Sequence, residues 1–194
     1  MEGMDFTPQH SSLTSQIFDL VDWFGCVETD LIHRFFKNQA SQEVLRKTLN
    51  EMIYSRLLFV IDETRLSTVP KLAHAEEYYD ATNAALHVMC DNFTSEEIDC
   101  YMPGIDVIRL KFHTVYGDSY DVVSFPATGD YSTVLTRALQ ARKMDTIPGR
   151  ENIYSHIAVV PDLELGSLLT EFNFSYFAVL DRTNFTKLYA ASNG

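Results

Sequence analysis

The sequence predicts an α+β chain in two parts, a helical first part that ends in a hairpin and a mixed α/β second part. Three observations carry this expectation. Apolar residues recur at three- and four-residue steps in successive segments before residue 58. Two short apolar runs, residues 58–61 and 66–69, then flank the polar turn Asp62, Glu63, Thr64 and Arg65 and are closed by Pro70. Beyond residue 106, strand-sized apolar runs alternate with helical spacing. Three helices with short connections and a following hairpin predict a winged helix-turn-helix over residues 1–72, with a mixed α/β domain over residues 73–194. A three-helix bundle with an incidental hairpin is the alternative reading of the same order.

The elements follow from the residues in turn. Residues 1–10 lack periodicity and contain Pro8, so a loose amino-terminal arm is expected. Ser11 or Ser12 starts a helix whose stripe is Leu13, Ile17, Leu20, Val21 and Phe24, and Gly25 sits where a left-handed C-cap is wanted. Thr29 is placed to cap a second helix through Leu31, Ile32, Phe35 and Phe36. The third helix is expected over residues 41–58, with Ser41 as N-cap and Leu45, Leu49, Met52, Ile53 and Leu57 on one face. Its other face carries Gln42, Glu43, Arg46, Lys47 and Asn50.

A linking helix over residues 76–93 is apolar on more than one side, which suits burial between layers or a homodimer face. A short turn is expected at residues 94–98, and Pro103-Gly104 breaks the chain. Residues 107–116 predict a strand with Ile108, Leu110 and Phe112 on one face and Arg109, Lys111 and His113 on the other. Residues 120–125 return antiparallel to it after Gly117-Asp118. A helix from Tyr131 follows, with Arg137, Arg142 and Lys143 toward the end that its dipole favours for cations. After a loop at residues 147–150, buried strands are expected at residues 157–160 and 177–180. A helix over residues 163–171 separates them, and an edge strand lies near residue 188.

Composition narrows the function. The net charge of −12 opposes indiscriminate binding to nucleic acid or an anionic membrane. That charge is uneven, with 7 basic against 10 acidic residues in residues 1–72 and 8 against 17 in residues 73–194. A locally positive face on the first part is therefore compatible with the total. Three cysteines and no signal sequence make a cytoplasmic location the expectation, and no apolar run is long enough to span a bilayer.

No phosphate-binding glycine loop, nucleophile elbow or zinc-protease helix occurs in the sequence. His87 and Cys90, with Cys100 further on, lack a second close-spaced ligand pair, so no metal and no other cofactor is expected. Asp121, a strand carboxylate beside a hairpin turn, is the type of group that nucleases place around a divalent cation. The acidic residue and lysine that would complete such a set are missing from the residues after it, so no catalytic residue is assigned.

The segments IFDLVDWFGCVETDLIHRFF, SYDVVSF, HIAVVPD and YFAVLD, in this order, resemble the replication-relaxation group of bacterial mobile-element proteins. That resemblance spans most of residues 13–190 and implies an amino-terminal winged helix with a carboxy-terminal domain similar to a restriction-endonuclease core. Only Asp121 matches a nuclease position. The function expected is a non-enzymatic, DNA-binding protein acting in replication, transfer or regulation of a mobile element. Gln42, Arg46, Lys47 and Asn50 would read duplex DNA, and Arg65 at the tip of the hairpin would reach a phosphate. A protein-interaction module using the same helix, and a metal-dependent nuclease, are the competing expectations.

Overall fold

The computed structural model describes residues 12–126, 130–144, 154–179 and 186–191. The expected arm over residues 1–10 and the loop at residues 147–150 lie outside the described residues. The chain is α+β and divides into two compact units between Tyr79 and Asp80. Among the described residues no helix is long and apolar enough to cross a membrane.

The first unit runs α1 (Leu13–Phe24), β1 (Val27–Glu28), α2 (Thr29–Phe36), α3 (Gln42–Tyr54), β2 (Phe59–Val60) and β3 (Arg65–Ser67). Its helix ends follow local chemistry. The Ser12 and Ser41 side chains accept from the backbone N–H groups of Ser15 and Val44, and Gly25 turns the chain out of α1 at φ 77°. Thr29 is the first residue of α2 rather than its cap, and its hydroxyl donates to the Thr64 carbonyl at 3.0 Å. Helix α3 stops four residues short of the expected end. Arg56 takes a left-handed φ of 60°, and the N–H groups of Leu57 and Leu58 turn back to the Met52 carbonyl. Strand β1 was not expected. It pairs with β3, which also pairs with β2, giving a small antiparallel sheet of order β1-β3-β2.

This unit is held together by Ile17, Leu20, Val21, Phe24, Leu31, Ile32, Phe36, Leu45, Leu49 and Met52, all buried. Each contributes on the order of 2 kcal/mol through apolar surface removed from water. The opposite face of α3 is left to solvent.

Helix α4 (Glu76–Asn92) carries the chain into the second unit. Residues 82–90 of this helix are buried, in keeping with its being apolar on more than one side. Then follow β4 (Ile98–Pro103), β5 (Ile108–Thr114), β6 (Ser119–Ser124), α5 (Tyr131–Met144), β7 (Tyr154–Val160), α6 (Leu163–Leu168) with a 3-10 turn (Leu169–Phe172), β8 (Tyr176–Val179) and β9 (Lys187–Ala190). The mixed sheet has the order β4-β5-β6-β7-β8-β9, with β6, β7 and β8 parallel and the outer pairs antiparallel. Strand β4 was not expected, but it ends at the expected breaker, Pro103-Gly104, and β9 is the edge strand expected near residue 188.

Both faces of this sheet are covered. Phe93, Phe112 and Tyr120 cluster on one face, with ring centroids 4.9–5.2 Å apart. On the other, Val123, Phe125, Ala158 and Val160 pack with Ala138 and Ala141 of α5 and Leu165 of α6. Gly166 permits the close approach of α6, since a Cβ there would lie 2.7 Å from the Phe177 ring.

Candidate functional site

Two surfaces concentrate polar side chains. The first is the solvent face of α3. Gln42, Arg46, Lys47 and Asn50 are all exposed there, because Leu45, Leu49 and Met52 take up the face turned to the core. Arg46, Lys47 and Asn50 line a shallow concavity with Glu43, Glu51 and Tyr54. A smaller hollow of about 170 Å³ lies between α2, α3 and the β2–β3 hairpin, reached by Arg46, Asn50 and His33. Two carboxylates temper the charge of the helix. Lys47 Nζ stands 3.9 Å from Glu51 Oε1, and Glu43 occupies the first turn.

Arg65 departs from its expected place. Its side chain is only 12% exposed, and it donates to Asp62 Oδ2 at 2.6 Å and to Glu76 Oε1 at 2.9 Å. Burial works against its charge, but these two carboxylates outweigh it and raise the guanidinium pKa. The hairpin turn is thus closed by an internal clasp instead of presenting a free cation. On the Asp62 side, burial pushes the carboxyl up, but the Thr64 N–H and the Arg65 side chain together bring it down to about 2.

The second surface is one face of the mixed sheet. Side chains two apart on a strand share a face, so β5 sets Lys111 and His113 together, β6 sets Ser119 and Asp121, and β7 sets Tyr154 and His156. Register aligns these into two rows. Lys111, Asp121 and His156 lie side by side, and His113, Ser119 and Tyr154 form the next row.

In the first row the Asp121 carboxylate is 2% exposed and fully occupied. His156 Nδ1 donates to Oδ2 at 2.8 Å, and Arg142 of α5 donates from Nη2 to Oδ1 at 3.2 Å and from Nε to Oδ2 at 3.4 Å. Arg142 also lies over the Phe174 ring, at 4.5 Å from its centroid. Burial lowers the pKa of both Arg142 and Lys111, and the Asp121 charge partly restores each. Arg142 lies in the last turn of α5 as expected, and there it is also a buried partner of the sheet. The lysine that stands beside Asp121 is Lys111, its cross-strand partner on β5.

In the second row, Ser119 Oγ and His113 Nδ1 are 2.7 Å apart, and the Tyr154 hydroxyl is 3.3 Å from His113 Nε2. Lys111 Nζ stands 5.1 Å from the Tyr154 ring centroid. Burial lowers the His113 pKa, with Asp99 raising it and Lys111 lowering it further. The strip Arg109, Lys111 and His113 is thus not a free basic surface. Lys111 is buried, His113 is in this network, and Arg109 Nη1 donates to the Asp106 carbonyl at 3.0 Å.

His87, Cys90 and Cys100 do not form a ligand set. Among the described residues no group of three or more His, Cys, Asp or Glu side chains could hold a metal ion, and the three cysteines are unbridged. His87 instead stands 3.8 Å from Asp91, whose carboxylate accepts from the Thr186 N–H at 2.8 Å. In comparisons with known proteins, no family model, no curated protein and no solved structure matches the chain.

Proposed function

We propose that the first unit is a winged helix-turn-helix and that the chain binds duplex DNA with α3 as its recognition helix. The observation that supports this reading is the joint exposure of Gln42, Arg46, Lys47 and Asn50 on the face opposite the buried stripe. Gln and Asn have the paired donor and acceptor that adenine presents in the major groove, and Arg and Lys suit guanine or phosphate. The β2–β3 hairpin is the wing. Arg65 has no part in the contact, since its guanidinium is committed to Asp62 and Glu76. Only the sequence resemblance points to a mobile element as the setting, in replication, transfer or regulation.

The paired change Arg46→Ala and Lys47→Ala tests the surface. Both side chains lie in solvent, so the fold stays intact. In low salt, fluorescence anisotropy with a pool of random-sequence duplexes should show most of the binding lost. Unchanged affinity would remove α3 as the DNA contact.

A protein partner at the same helix has its own support. Tyr54 is 92% exposed at the end of α3, and Val44, Leu57 and Val60 of the same unit are exposed as well. An exposed aromatic residue with further exposed apolar side chains on the same unit suits a protein interface better than a phosphate backbone. Retained DNA affinity in the double variant would favour this second reading. A metal-dependent nuclease is the weakest of the three, because a divalent cation at Asp121 would have to displace a guanidinium and an imidazole.

A further inference from the structure

We propose that Ser119 is a nucleophile activated by His113, and that the second unit uses it to cleave small activated carboxylic esters. This goes beyond the DNA-binding reading, which assigns no chemistry to that unit, and it is independent of α3.

The geometry has the three parts that such a site requires. A hydroxyl and a base lie within hydrogen-bond reach, since Ser119 Oγ is 2.7 Å from His113 Nδ1. A third group orients the base, since the Tyr154 hydroxyl stands 3.3 Å from the other ring nitrogen. When Nε2 carries the imidazole proton and donates it to the Tyr154 oxygen, Nδ1 is left as the acceptor that faces Ser119. Burial holds the His113 pKa below its usual value, so the ring is neutral near pH 7, as a general base must be. Lys111 lies on the same face as His113, one row away, with its Nζ 5.1 Å from the Tyr154 ring centroid.

Access limits the substrate. His113 and Tyr154 are half-buried, while Ser119 is 5% exposed, so only a slim acyl group can reach the hydroxyl. The chemistry balances without a cofactor. Ser119 Oγ forms a bond to the acyl carbon as its proton passes to His113 Nδ1. The bond from that carbon to the leaving alcohol breaks, and the same proton goes to the departing oxygen. A water then gives a proton to Nδ1 as its oxygen attacks the acyl-serine. That proton returns to Ser119 Oγ as the carboxylic acid leaves.

The test is p-nitrophenyl acetate with the full-length chain, followed by peptide mass mapping. The expected result is a burst of p-nitrophenolate and an acetyl group on Ser119, absent from that position in Ser119→Ala. His113→Gln should slow the acylation by about 100-fold or more, as loss of a general base does. Tyr154 is a positioning residue. In Tyr154→Phe the acetyl group should still map to Ser119, while the ¹⁵N spectrum of His113 should change from the Nε2–H tautomer to a mixture. The wild-type map decides the matter even where a variant folds poorly. No acetyl on Ser119, acetylation confined to lysines, or an unchanged rate in a folded His113→Gln protein would overturn the proposal.

Discussion

Asp121 shows why residue identity alone misleads. A strand carboxylate beside a turn is a metal-ligand type, but here it is nearly solvent-free and satisfied by Arg142 and His156. Asp121→Asn should therefore destabilise the protein by about 3–5 kcal/mol, because it leaves the guanidinium buried without its counter-charge. Urea denaturation would measure this, and the double change with Arg142→Met should recover part of the loss. Asp62 makes a different prediction, about pH. Its carboxyl is held at about 2 in the folded chain against an ordinary value of 3.8. The stability it contributes is full above that ordinary value and is lost as pH falls from there toward 2. The side chain is 35% exposed, so the effect after solvent screening is about 1 kcal/mol. Asp62→Asn should flatten that part of the pH–stability curve, and a curve identical to wild type would contradict the role given to the Arg65 clasp.

At the scale of elements, the end of α3 is the feature most open to test. Arg56 holds a left-handed backbone at φ 60°, a conformation that crowds the Cβ of any L-residue but suits glycine. Arg56→Gly should stabilise the chain by roughly 1 kcal/mol, seen as a rise in melting temperature. A fall would mean that the arginine side chain outweighs its backbone strain. The sequence made α1 and α3 legible because each has a serine cap before a 3.6-residue stripe. Strand β1 was not legible, because two residues are too few to show a period. Strand β4 was hidden because its exposed Asp99, Met102 and Pro103 leave no alternating apolar face to read. The two polar rows were half legible. Lys111 with His113 and Ser119 with Asp121 show the two-residue step within a strand, but nothing local says that β7 lies parallel to β6 and brings Tyr154 and His156 alongside. The partner of Arg142 was not legible for the same reason, since it lies 21 positions earlier in the chain.

For the whole molecule the governing quantity is charge. The chain has a net charge of −12, and on α3 the two cations, Arg46 and Lys47, stand beside two carboxylates, Glu43 and Glu51. Few phosphates can then be neutralised. Each neutralised phosphate releases counterions and adds about −0.9 to the slope of log affinity against log salt, so two contacts give a slope of about −2. Long-range repulsion from the acidic remainder is screened as salt rises, within about 8 Å at physiological ionic strength, which offsets part of the loss and keeps the slope shallow. Affinity should therefore be modest, and it should fall on going from 50 to 200 mM salt with that shallow slope. The paired Arg46→Ala and Lys47→Ala protein should lose the slope along with the binding, which is a sharper criterion than affinity alone. A steep slope in the wild type, characteristic of six or more phosphate contacts, would require a basic surface outside α3. A slope near zero with retained binding would indicate an interface built on Tyr54 and the other exposed apolar residues of the first unit, and would move that unit from nucleic acid to a protein partner.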